Sequence, residues 1–155
     1  MLRLSKKTDY GLLALQHLAT EAFTAGASAR TIAERYDIPV ELLAKILQQL
    51  ARLGFVAAQK GAHGGYHLAR PAGAISLAEV VEAIDGPLAI TACGRKDDQC
   101  DQFAGCTVRD PLSRVRDRIV TVLRTTTVAD MADEEGTFPL MLTKKEPGGS
   151  PVEAR

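Results

Sequence analysis

Cys93, Cys100 and Cys106 are the residues whose type and spacing point most directly to chemistry, and the chain has no other cysteine. They run Cys93-x6-Cys100-x5-Cys106. Thiolates are soft ligands, matched to iron–sulfur clusters and to zinc. Gaps of six and five residues are too long for the compact Cys-x2-Cys knuckle of structural zinc, but they let a loop wrap several sides of a larger cofactor. An odd, clustered set in a chain expected in the cytosol favours metal binding or redox chemistry over a disulfide framework. A cluster is favoured; zinc and a thiol-based redox switch stay open, because all three use the same low-pKa thiolates. There is no paired carboxylate, nucleophile-and-base motif or phosphate loop, so an enzyme is not expected, nor a small-molecule substrate.

The cysteines must be held by their neighbours. They fall in a loop expected over 91–109, with Gly94 and Gly105 in it. On its N-terminal side Ser76 is placed to cap a helix over 77–84, which Asp85-Gly86-Pro87 ends. On its C-terminal side Pro111 suits the start of a long helix. There Leu112, Val115, Ile119, Val122 and Thr126 recur at alternating spacings of four and three, flanked by Arg114, Arg116, Asp117 and Arg118. So narrow a stripe suits a partner helix, which makes Leu112, Val115, Ile119 and Val122 the expected seam of a homodimer. The Gly/Pro/Ser-rich end of the chain reads as disordered.

Before the cysteines lie three helices and a hairpin. Ser5 is placed to cap the first helix, with Tyr10, Leu13, His17 and Leu18 at helical spacing, and Ser28 to cap a short second helix over 29–36 carrying Ile32 and Ala33 inward. Asp37-Ile38-Pro39 is a tight connection to a third helix over 40–53, with Leu43, Ile46, Leu47 and Leu50 on one face and Gly54 as its stop. Two strands, 55–59 and 65–69, follow around Lys60-Gly61-Ala62-His63-Gly64, where glycines permit the positive φ of a tight tip. The fold class expected is mainly α with a small β wing. It comprises a winged helix-turn-helix domain over 1–90, the cysteine loop over 91–109, a dimerisation helix over 110–132 and a disordered tail over 133–155.

That order lays the third helix in the major groove of double-stranded DNA. Val40, Glu41, Ala44, Lys45 and Gln48 would face base edges, while Lys6, Lys7 and Arg52 would reach phosphates. Lys60 and His63 at the wing would suit a narrow, electronegative groove. Solvation of an ordinary amphipathic helix explains the same polar face on periodicity alone. Charge distribution favours DNA: residues 1–70 carry nine Lys/Arg against five Asp/Glu, and the remainder ten against fourteen, in a chain of zero net charge. No apolar run is long enough to span a bilayer and no signal-peptide pattern opens the sequence, so no membrane association and a cytoplasmic location are expected.

Taken together, several segments resemble the IscR/NsrR-type family of winged-helix regulators over about residues 1–130. They are 4–10, Ile38-Pro39 with 43–50, the wing 60–66, and 75–87 leading into the cysteines. Gly-Ala-His-Gly-Gly-Tyr in the wing, Cys-Thr-Val-Arg at 106–109 and Thr-Val-Ala-Asp at 127–130 look most like regulators of the SUF iron–sulfur assembly operon. The resemblance implies an iron–sulfur cluster, 2Fe–2S or 4Fe–4S, on Cys93, Cys100 and Cys106, and repression of cluster-assembly genes when clusters are plentiful. Asp9 matches an aspartate of the NsrR branch that ligates from the partner subunit, with Asp97, Asp98 and Asp101 as competitors for the fourth position. Favouring the helix dipole is the plainer role for Asp9. Arg109 stands where IscR has a histidine ligand, Ala44 stands where it has an acidic base reader, and the first cysteine gap is one residue longer. A different DNA sequence is therefore expected to be read.

Overall fold

The computed structural model describes residues 4–20, 26–61, 64–88 and 105–133. Ser5 opens the first helix, α1 (Lys6–Thr20): its carbonyl accepts from the Asp9 amide at 3.0 Å and its Oγ from the Thr8 amide at 3.2 Å. The buried stripe is rotated from the one expected. Leu12, Leu15 and Leu18 are buried together with the small residues Thr8, Gly11 and Ala14, while Tyr10, Leu13 and His17 are only half-buried. Close helix approach is the reason. A Cβ on Gly11 would lie 2.8 Å from Ile84 Cδ1, so a residue without a side chain lets Ile84 come this close at that point of the stripe.

Helix α2 (Ala29–Arg35) begins at Ser28, whose Oγ accepts from the Thr31 amide at 3.0 Å. Asp37 turns the chain at φ 53°, a conformation that Asp tolerates better than most side chains, and α3 (Val40–Arg52) follows. Leu43, Ile46, Leu47 and Leu50 of α3 are all buried. Gly54, at φ 77°, ends the helix as expected.

Strands β1 (Val56–Gln59) and β2 (Gly65–Leu68) pair antiparallel, Val56 opposite Leu68 and Gln59 opposite Gly65. Phe55 and Ala69, expected within the strands, flank them and are still joined, Ala69 N–H donating to the Phe55 carbonyl at 3.0 Å. Ala27 adds a short third edge: it exchanges two hydrogen bonds with Tyr66, at 3.0 and 2.8 Å. The wing glycines therefore do different jobs. Gly61 takes the positive φ of the tip, 127°. Gly65 instead permits backbone contact, since a Cβ there would meet the Ala27 backbone at 2.8 Å.

A 3₁₀ turn (Ala72–Ala74) leads into α4 (Leu77–Asp85), capped by the reciprocal Ser76–Glu79 box. The segment expected to be one helix over 110–132 is two. Helix α5 (Arg109–Thr125) begins two residues before Pro111 and stops at Thr126, and α6 (Val128–Ala132) starts anew. Thr127 and Asp130 form a second capping box that competes with helix continuation, and Thr125-Thr126-Thr127 is a β-branched run. The Leu77 amide donates to the Thr126 carbonyl and the Val128 amide to the Ile75 carbonyl, both at 2.9 Å. Thr126, assigned to the dimer seam from its spacing, is thus buried at a pivot, and α6 returns to α1 with Val128 in the core. The architecture is the expected one: a mainly helical winged helix-turn-helix, with α5 set on it.

Candidate nucleic-acid interface

Helix α3 is anchored by four buried apolar side chains, each worth up to roughly 1.5–3 kcal/mol of burial, which fixes the direction of its other face. On that face Val40, Glu41, Lys45, Gln48 and Arg52 are exposed, and Ala44 is half-buried between them. Val40 is 40% exposed at the start of that face.

Lys6 and Lys7 are exposed at the start of α1, and Lys60 is exposed at the end of β1. The ion pairs among the described residues are Arg70–Glu79, Arg109–Asp110 and Arg116–Asp117, none of which takes up Lys6, Lys7, Lys45, Arg52 or Lys60. His63, assigned to the wing, lies outside the described residues.

The α1 cations are held in place by a contact that the sequence did not reveal. Asp85, at the end of α4, accepts from the Ser5 amide at 2.9 Å and from the Ser5 hydroxyl at 2.5 Å. Partial burial acts to raise the Asp85 carboxyl, but the Ser5 hydroxyl and amide, with Lys7 nearby, outweigh it and hold it below the usual carboxylate range. Eighty positions separate the two residues, so no local pattern could have signalled the pair.

Cys106 is half-buried just before α5 and takes part in no disulfide, which leaves its thiol open to a soft metal. Cys93, Cys100, Asp97, Asp98 and Asp101 lie outside the described residues. Asp9 is exposed in the first turns of α1. Arg109 pairs with Asp110 at 3.2 Å and, as a permanent cation, is no ligand for iron. Three cysteine sulfurs are soft donors of the kind that iron–sulfur clusters and zinc both take.

The stripe assigned to a dimer seam is on the surface. No residue of α5 is buried; Val115 and Val122 are 46% and 56% exposed, and Leu112 and Ile119 are half-buried. Val108, at 58%, extends the row one heptad toward the cysteines, a residue that the spacing Val108-Val115-Val122 would have disclosed.

The contributions of the two DNA-facing elements should separate by experiment. Lys60→Ala is expected to weaken binding to all duplexes and to flatten the plot of log affinity against log salt by about one unit. Gln48→Ala is expected to lose about 1–3 kcal/mol of discrimination at particular base pairs. Equal losses on specific and random duplexes for both variants would reject this division of roles.

Residues 4–134 match the Rrf2 family, described as iron-dependent transcriptional regulators. Among solved structures, CymR, the global cysteine regulator of B. subtilis, is 27% identical with a TM-score of 0.70, covering 85% of this chain and 97% of that one. IscR of T. potens is 28% identical with a TM-score of 0.67, covering 84% and 85%. The oxidised form of Staphylococcus aureus CymR is 26% identical with a TM-score of 0.68, covering 84% and 96%.

Proposed function

The chain belongs to the Rrf2 family of transcriptional regulators, and on that premise we propose that it is a cytoplasmic homodimeric repressor of SUF-type cluster-assembly genes, governed by an iron–sulfur cluster. The observation that carries the reading is the extent of the family match: it runs through residue 134 and so includes all three cysteines as well as the DNA-reading fold. Cys93, Cys100 and Cys106 would hold the cluster, with Asp9 of the partner subunit as the fourth ligand. Bound there, the cluster supplies a cofactor whose stability tracks iron supply and oxidants. A carboxylate is a harder and more labile ligand than a thiolate, which suits release on demand.

The protein's own residues do the rest. Val40, Glu41, Ala44, Lys45 and Gln48 read base edges; Lys6, Lys7, Arg52 and Lys60 neutralise phosphates, and His63 is assigned to the same DNA contact. Leu112, Val115, Ile119 and Val122 join two such heads so that both halves of an operator are engaged at once. Among the described residues no helix is long and apolar enough to cross a membrane.

Similarity to CymR, which has a structure in an oxidised form, favours a second reading: the same cysteines could sense oxidants as thiols, or hold zinc, without iron. The absorption spectrum of anaerobically purified protein separates them. Visible charge-transfer bands with bound iron and acid-labile sulfide support the cluster. A colourless protein, with zinc or with free thiols, replaces it by the second reading. Asp9→Ala, reconstituted anaerobically, should shift the spectrum and shorten cluster lifetime; an unchanged spectrum and lifetime would leave Asp9 only its place near the helix N-terminus.

A further inference from the structure

The last turn of α4 touches, with three consecutive residues, the helices that would contact DNA. The Ala83 carbonyl accepts from Gln49 Nε2 of α3 at 3.2 Å. Ile84 Cδ1 lies over Gly11 of α1, so close that a Cβ there would come within 2.8 Å of it and within 3.5 Å of Ile46 Cγ2 on α3. Asp85 takes both Ser5 donors at the start of α1, beside Lys6 and Lys7. Gly86 then ends the helix at φ 83°, and Cys93 follows eight residues after Asp85 in the sequence.

We infer that this turn transmits the state of the cysteine segment to the DNA-binding surface, with Gln49 and Asp85 as positioning residues that set α3 and the α1 cations in one arrangement. The inference rests on the cysteines being the regulated site. It adds the route. Gln49 neighbours the base-facing Gln48 but is half-buried and turned to α4, so moving the Ala83 carbonyl moves the helix that carries Gln48. Asp85 acts on the phosphate-facing cations through Ser5. A shift of the α4 end would therefore alter base and phosphate contacts together, because one rigid turn holds both. The Ile84–Gly11 contact leaves little slack between them, since close-packed interiors pass displacement on rather than absorbing it.

The test uses the full chain, reconstituted with iron and sulfide or stripped with a chelator, and a duplex selected by the wild-type chain from random-sequence DNA. The quantity read is the ratio of affinities in the two states; couplings of this kind are typically about 5–150-fold. Gln49→Met keeps length and helix propensity but cannot donate to Ala83, and Asp85→Ala removes both Ser5 acceptors. Each should bring the ratio to within about threefold of one, with iron content and dimer state unchanged. Asp85→Asn, which keeps one acceptor oxygen, should fall between Asp85→Ala and wild type. Amide exchange along α3 should differ between the two states in wild type and cease to differ in Gln49→Met. A responsive wild type with equally responsive, iron-loaded variants would overturn the route and leave the proposed function standing. A wild type that binds DNA equally in both states would overturn both.

Discussion

Ile119→Asp is expected to convert the protein to a monomer in sedimentation and to remove operator binding. Val108, Val115 and Val122 stand 58%, 46% and 56% exposed at heptad spacing, and Leu112 and Ile119 are half-buried between them. On the proposed dimer such a stripe would be covered by its own copy about a two-fold axis, which would bring position 119 close to its equivalent. A carboxylate there would be buried twice, unpaired and facing its like. Removing the partner of a buried charge typically costs about 3–5 kcal/mol, and two unpaired carboxylates should cost at least that. Since about 1.4 kcal/mol is tenfold in affinity, the dimer should weaken by a factor of about 100–4,000 or more. Operator binding falls with it, because a head that must bind each half-site separately loses the effective concentration of a tethered pair. The head itself should stay folded, as α5 contributes no buried residue to it. A dimeric, operator-binding Ile119→Asp protein would place the interface on another surface.

Cys106→Ala is the second large effect expected. On the proposed function Cys106 is one of three sulfur ligands, and Arg109, three residues on, cannot take its place. The anaerobically purified variant should be colourless and iron-free. Its operator affinity should equal that of the chelator-stripped wild type and no longer respond to reconstitution. Cys106 is only half-buried and belongs to none of the core clusters, so the melting temperature of the stripped protein should change little. If Cys106→Ala kept a wild-type complement of iron and its spectrum, the cysteine site would have to be built without it. If it lost its response while remaining zinc-bound, the second reading of the cysteines would stand.

What the sequence determined by itself was local. The caps at Ser28 and Ser76, the apolar face of α3, the stop at Gly54 and the heptad spacing on α5 are all legible because each is a pattern within a few residues, set by helix geometry and by side chains that bond to their own backbone. The exposed face of α3 followed at once, since burying Leu43, Ile46, Leu47 and Leu50 leaves Glu41, Lys45 and Gln48 outside. The break at Thr126 was legible too, in the Thr127–Asp130 box, but the apolar spacing that runs on through it masked the signal.

The tertiary structure decided everything that depends on which surfaces meet. The periodicity of α1 allows two overlapping stripes, and the close approach of Ile84, with Ile46 and Leu50 of α3, goes with the one that has Gly11 in it. The glycines of the wing read as turn residues, yet Gly65 is there because Ala27 adds a strand edge against it. The Ser5–Asp85 and Gln49–Ala83 contacts join positions 80 and 34 residues apart, and no short-range preference encodes either. Packing closes those distances: each element buries its apolar face, and the polar groups brought together at the rim of the core then pair with one another, because an unpaired donor or acceptor there would be costly.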